Sequence, residues 1–142
     1  EYWFEQKGDH KYRMALYFHD GNWRMRYRDG IAFNYPLTTF VANERSIATK
    51  ATEENKSFVT ATPSNIIITS TKQSEDSKGT IIRFYEAEGK KCNAHFNLLK
   101  PIKEAFKTNL IEYDPIALPL ETDGSLSIPV KPWEIVTIMV KN

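Results

Sequence analysis

Glu75 and Asp76 are adjacent acidic residues, and a pair of carboxylates is the apparatus of glycoside hydrolysis. A retaining enzyme holds its two carboxyls about 5 to 5.5 Å apart, on separate elements that flank the scissile bond. Two neighbours in one turn do not meet that requirement. They read more simply as shapers of a hairpin loop that pair with Lys72, Lys78 or Arg83. Other chemistries find less support. His10, His19 and His95 fall on separate segments, and Cys92 faces away from His95 by strand parity, so no zinc-type ligand spacing is present. GxSxG and a Gly-rich strand-to-helix turn are both absent, which leaves no nucleophile elbow and no phosphate cradle. We therefore expect no catalytic residue and no metal ligand here. Trp3, Trp23 and Trp133 would suit stacking on a sugar ring, but each has apolar neighbours, which predicts that Trp23 and Trp133 are mostly buried.

The acidic pair needs an element to hold it. Between Pro63 and Gly89, two β-branched and aromatic runs, Ile66 to Thr71 and Thr80 to Tyr85, flank the polar turn Ser74-Glu75-Asp76-Ser77-Lys78-Gly79. That segment is too short for a crossover helix, so the runs pair as an antiparallel hairpin at the centre of a sheet. Ile66, Ile67 and Ile68 make both faces of the first strand apolar, as inside a packed sandwich. Arg83 shares the second strand with Ile81 and Tyr85 and must reach solvent or a carboxylate.

Further strands are expected at Tyr2 to Gln6 and Lys11 to Phe18, joined by a turn at Lys7-Gly8-Asp9, and at Leu37 to Ala42. Trp23, Tyr27 and Ile31 recur every four residues, which predicts a short helix capped by Asn22 and ended by Gly30. Asn43 to Lys56 reads as a surface connection. Cys92, Ala94, Phe96 and Leu98 alternate with Asn93, His95 and Asn97 as a half-buried strand. Thr108 to Tyr113 reads as a bent strand. Asp123-Gly124 predicts a hairpin between Leu118 to Leu120 and Leu126 to Val130, and Ile135 to Val140 closes the domain. The fold class is all-β, an antiparallel β-sandwich with one short helix near residues 22–30.

With 142 residues, the chain is the size of one domain and can bury a core without staples. Its net charge of +1 gives no global field for nucleic acid, and the local cluster of Arg24, Arg26 and Arg28 reads as a solvated or interface face. No apolar run is long enough to span a membrane. One cysteine excludes an internal disulfide, and without a secretory leader the expected compartment is cytoplasmic. Glu1-Tyr2-Trp3-Phe4 is already strand-like and lacks an initiator methionine, which predicts a piece of a longer protein.

Several ordered motifs carry a resemblance. They are Gly8-x-His10-x-x-x-x-Ala15-Leu16-Tyr17-x-His19-x-Gly21-x-Trp23, Phe33-Asn34-x-Pro36-Leu37, Ile67-x-Thr69-x-x-Lys72-x-x-Glu75-Asp76-x-x-Gly79-x-Ile81-x-Arg83-x-Tyr85-Glu86, and Pro132-Trp133-Glu134-Ile135-x-Thr137. Together they resemble the C-terminal β-domain of family 38 α-mannosidases across nearly the whole chain. The resemblance implies a retaining, zinc-dependent α-mannosidase as parent, with zinc ligands and nucleophile in an N-terminal catalytic domain outside this chain. Residues 1–142 would be one non-catalytic C-terminal sandwich with no cofactor of its own. Its partner would be the catalytic domain of the same polypeptide, and through it an α-mannoside, with neither nucleic acid nor membrane involved. The residues then expected at the domain interface or substrate rim are Glu75, Asp76, Arg83, His19 and Trp23. An autonomous carbohydrate-binding module is the competing expectation.

Overall fold

The computed structural model describes residues 7–39 and 57–142. The chain divides into two compact units, residues 1–41 and residues 42–142.

In the second unit the described residues form eight strands in two antiparallel sheets. The smaller sheet holds β1 (Val59–Thr62), β4 (Cys92–Leu98) and β7 (Leu126–Val130), with β4 in the middle. The larger holds β2 (Ile66–Gln73), β3 (Thr80–Glu86), β8 (Ile135–Lys141), β5 (Glu104–Thr108) and β6 (Ile116–Leu118), in that spatial order. Period-two patterning decides which side chains meet. From β3 come Ile82 and Phe84, from β4 Ala94 and Phe96, from β7 Leu126, Ile128 and Val130, and from β8 Val136, Ile138 and Val140. All are buried in one cluster between the sheets, with the rings of Phe84 and Phe96 4.7 Å apart at its centre. Burying each of these large side chains contributes roughly 2 kcal/mol or more. Pro129 lies in β7, an edge strand, where its missing N–H costs no ladder bond.

The β2–β3 hairpin forms as expected, but not at the centre of its sheet: β2 is an edge strand and β8 is the middle one. Ile68 faces Phe84 and Ser70 faces Arg83, so Thr69 is an extra residue in β2. This bulge reverses the parity of the strand. Ile66 and Ile68 point to the core, while Ser70 and Lys72 join Ile67 on the outer face.

Two further expectations in this unit need correction. Thr108 to Tyr113 is not a strand, because pairing runs over Glu104–Thr108 and the chain then turns. Asn109 causes the turn by accepting the N–H of Ile111 at 3.1 Å and of Tyr113 at 2.9 Å, a local competitor to ladder bonding. Glu112 and Asp114 follow with φ of 67° and 55°. The Asp123-Gly124 turn forms, with Asp123 accepting the Ser125 N–H at 2.8 Å and Gly124 at φ 79°. It closes only the bridge Leu120 to Leu126, because β6 pairs with β5 in one sheet and β7 with β4 in the other.

In the first unit, the strand expected at Lys11 to Phe18 does not form: the segment has no assigned secondary structure. Asn22 caps as expected, its side chain accepting the Arg24 N–H at 2.9 Å, but the element it starts is a 3-10 turn, Trp23–Met25. The helix α1 spans Tyr27–Asn34, so Gly30 lies inside it. The stop comes from Pro36, which forces Tyr35 out of the helical region (φ −121°, ψ 73°). Leu37 to Thr39 is irregular. Tyr2 to Gln6, the remainder of Leu37 to Ala42 and the connection Asn43 to Lys56 lie outside the described residues. Among the described residues no helix is long and apolar enough to cross a membrane.

Candidate functional site

The tip of the β2–β3 hairpin is built by side chains bonding to backbone. Ser74, buried at the end of β2, accepts the Gly79 N–H at 2.9 Å and donates its hydroxyl to Asp76 at 2.7 Å. Asp76 also accepts the Lys78 N–H at 3.0 Å. The Ser74 hydroxyl and then the Lys78 N–H hold the Asp76 carboxyl below the usual carboxylate range. Asp76 thus shapes the turn while remaining solvent-facing.

Glu75 is held by a residue 37 positions away. The β5–β6 loop, residues 109–115, carries Glu112, whose carboxylate accepts the Glu75 N–H at 2.7 Å and pairs with Lys72 at 2.7 Å. Lys72 also contacts the Glu75 carboxylate. Hydrogen bonds to Glu112 and then Glu75 raise the Lys72 pKa, and the same Lys72 bond followed by the Glu75 N–H lowers that of Glu112. The result is asymmetric. The Glu112 side chain is 9% exposed and the Glu75 side chain 79%. One acid anchors the tip and the other is displayed by it.

Arg83 does not reach the acidic pair. Its Nε donates to the Thr137 hydroxyl at 3.2 Å and its Nη2 to the Leu110 carbonyl at 3.0 Å. Arg83 therefore ties the same loop down onto the outer face of the sheet, with a hydroxyl and a carbonyl in place of the expected carboxylate. Its role is to seat Glu112, two residues past Leu110.

A second polar centre lies at the other end of the hairpin. Glu86 follows Ile82 and Phe84 at the same inward parity and is fully buried. Its carboxylate accepts the N–H groups of Glu88 (2.8 Å), Gly89 (2.7 Å), Lys90 (3.0 Å) and Trp133 (3.1 Å), together with the Asn65 amide (2.7 Å). Burial alone would raise its pKa. The donors, Trp133 and Asn65 foremost, outweigh burial and bring it from 4.5 down to about 2. Such a carboxylate is a structural anion, because protonation would strand the donors pointing at it. Trp133 is pinned beside it at φ 61°, its ring so close to Gly89 that a Cβ there would lie 2.6 Å away. Glu134 closes the same turn, accepting the Lys131 N–H at 2.8 Å and pairing with Lys107 at 2.9 Å.

His19 and Trp23 belong to the first unit. His19 is exposed, its Nδ1 3.2 Å from the Asp20 carbonyl oxygen and its ring 5.8 Å from that of Tyr17. Trp23 stands edge-on to Tyr27 at 6.3 Å, with the Arg24 guanidinium over its ring at 4.7 Å. The expected burial of the two tryptophans is wrong, for Trp23 is 48% and Trp133 55% exposed. Shared spacing puts apolar side chains on one face but does not cover that face. Among the described residues no group of three or more His, Cys, Asp or Glu side chains is placed to hold a metal ion, so these residues do not fit a zinc centre.

The structure thus brings Glu75 and Asp76 together with Lys72 and, unforeseen, Glu112. Nothing local in the sequence marks Glu112. Glu86 did carry a signal, as the one carboxylate of inward parity on β3.

Comparison with known proteins agrees with this architecture. The chain is 24% identical over 139 residues to alpha-mannosidase 2C1 of Homo sapiens, a match that covers 94% of this chain and 13% of that protein. The chain therefore spans a small fraction of the length of its relative. Residues 65–138, just over half of the chain, match the sequence model of the glycosyl hydrolases family 38 C-terminal beta sandwich domain. They run from Asn65, which bonds Glu86, to the core residue Ile138, and include the Glu75 turn and the Glu112 loop. The chain belongs to the family of glycosyl hydrolase family 38 C-terminal β-sandwich domains.

Proposed function

We propose that residues 1–142 are the non-catalytic C-terminal part of a larger α-mannosidase-like hydrolase. Its zinc-dependent, retaining catalytic domain lies elsewhere in the same polypeptide and acts on terminal α-mannosides. The sandwich packs on that domain, and the β2–β3 tip completes the rim of its sugar pocket. The polypeptide works in the cytoplasm, a reading that the single cysteine of residues 1–142 supports.

One observation carries this reading. The exposed Glu75 carboxylate sits on a turn fixed from within by Ser74 and Asp76 and from outside by Glu112. A connecting turn needs no second clamp from a distant loop, whereas a charge presented to a neighbouring domain does. In the full-length polypeptide, Glu75→Gln is expected to lower kcat/KM for an aryl α-mannoside by about tenfold or more through misplacement at the rim. The same change should leave the unfolding midpoint of residues 1–142 almost unmoved. Unaltered kinetics would remove the rim role.

The exposure of Trp23 and Trp133 favours a second reading, an autonomous carbohydrate-binding module. Titration of residues 1–142 with mannose and mannobiose separates the two. Saturable heat that disappears on Trp133→Ala supports the module, and no heat supports the rim.

A further inference from the structure

The inner face of β2 changes character along its length. Ile66 and Ile68 pack with the core, but past the extra residue Thr69 the inward positions fall to Thr71 and Gln73. Thr71 pairs with the core residue Ile82, and Gln73 pairs with Thr80, which pairs in turn with the core residue Val140. The register thus continues the core layer into three polar side chains. Thr71 and Gln73 are exposed and Thr80 is half-buried. Polar side chains at core parity are unfavourable for packing alone, and where a fold keeps them solvated they mark a place with another use. A hollow of about 530 Å³ lies there, lined among others by Phe58, Thr71, Gln73, Ser77, Thr80 and Val140. Phe58 is 46% exposed and comes from the other sheet, its carbonyl accepting the Leu99 N–H at 3.0 Å beside β1.

The lining sets the charge of what the hollow takes. Lys72 and Lys78 border it, but Lys72 is paired with Glu75 and Glu112, and Lys78 lies 3.8 Å from Asp76. Both ammonium groups are already balanced, so the hollow selects a neutral ligand. The other groups are the hydroxyls of Thr71, Ser77 and Thr80, the Gln73 amide and the Phe58 side chain. Hydroxyls and an amide both donate and accept, and an aromatic side chain receives an apolar C–H face, which together match a sugar. We infer that this hollow is a subsite for the part of an oligosaccharide substrate beyond the mannose that is cleaved. Ser77, Lys78 and Gly79 of the tip border the hollow, and the same tip carries Glu75. A sugar chain leaving a pocket rimmed by Glu75 therefore passes over it. The hollow is open, so it selects among substrates held by the catalytic domain and does not capture sugar alone. The inference rests on the proposed rim role of the β2–β3 tip.

Steady-state kinetics of the full-length polypeptide on an α-linked mannotriose and on an aryl α-mannoside test it, for the unaltered protein, Thr71→Val and Gln73→Ala. Both substitutions fall on exposed side chains and keep the strand. The ratio of kcat/KM for mannotriose to that for the aryl mannoside is expected to fall about threefold in Thr71→Val and about tenfold in Gln73→Ala, through KM. An unchanged ratio overturns the inference, including the case in which both substrates suffer equally, because that is a defect of the tip itself. Hydrogen exchange followed by mass spectrometry gives a second measurement that needs no turnover. Saturating mannotriose should slow the amides of residues 71–80 about threefold or more in the unaltered full-length protein, and Gln73→Ala should abolish the effect. Exchange that mannotriose does not slow overturns the inference as well. The two readings fail separately. An active enzyme with an unchanged ratio defeats the subsite alone, and slowed exchange at residues 71–80 in a protein that cleaves no α-mannoside upholds sugar binding there and defeats the activity alone.

Discussion

The Glu86 carboxylate accepts the backbone N–H of Trp133 at 3.1 Å, across 47 residues of sequence. That bond joins the β3–β4 turn to the β7–β8 turn, and the same carboxylate gathers the N–H groups of Glu88, Gly89 and Lys90. Two loops that need anchoring share one buried anion.

Glu86 should make the fold sensitive to acid. Its pKa is lowered from 4.5 to about 2, so the folded state holds the proton more weakly than the unfolded chain. The stabilisation is complete above the unfolded value near 4.5 and is lost as the pH falls towards the folded value near 2. This gap corresponds to on the order of 3 kcal/mol at neutral pH. Glu86→Gln is expected to remove most of that amount at pH 7 and to flatten the acid limb. Urea unfolding of both proteins from pH 2 to pH 7 measures the difference, and parallel curves would show that Glu86 is not the group responsible.

Gly89 should tolerate no side chain. Its φ of 73° disfavours any L-residue, and a Cβ would meet the Trp133 ring at 2.6 Å. Gly89→Ala is expected to cost about 2 kcal/mol and to displace Trp133. The checks are unfolding stability and a shift of tryptophan emission that is absent when Trp133→Phe is added.

Much of this architecture is legible in the sequence because its signals are local. The runs of Ile66 to Thr71 and Thr80 to Tyr85 became β2 and β3 with ends moved by one or two residues, and the alternation from Cys92 to Leu98 became β4 as read. Sheet membership is not local. The Asp123-Gly124 turn predicts its own geometry correctly, but whether its flanks pair depends on β4 and β5, which compete for them. Asn109 ended the strand expected after Thr108 because one side chain bonding two N–H groups beats a ladder that has no partner. Within the site, Glu75 and Asp76 stood out by composition, whereas Glu112 shows itself only once the chain is folded. Arg83 was recognised as a cation in need of a partner, and its actual partners are a carbonyl and a hydroxyl, which composition does not distinguish.

The Glu112 clamp gives a prediction about dynamics. Glu112→Gln keeps the shape and weakens the bonds to Lys72 and to the Glu75 N–H. The Glu75 amide is then expected to exchange about tenfold faster or more, with little change at the core amide of Phe84. Equal acceleration at both would mean that the loop stabilises the whole sandwich instead of the tip.

The central claim is that this sandwich is the non-catalytic part of an α-mannosidase, and one measurement bears on it most directly. Hydrolysis of an aryl α-mannoside is followed for the full-length polypeptide and for residues 1–142, each with zinc and after chelation. The account predicts turnover by the full-length protein that chelation abolishes and zinc restores, and none by residues 1–142 in either condition. Zinc-dependent turnover by residues 1–142, or a folded full-length protein that cleaves no α-mannoside, would contradict it.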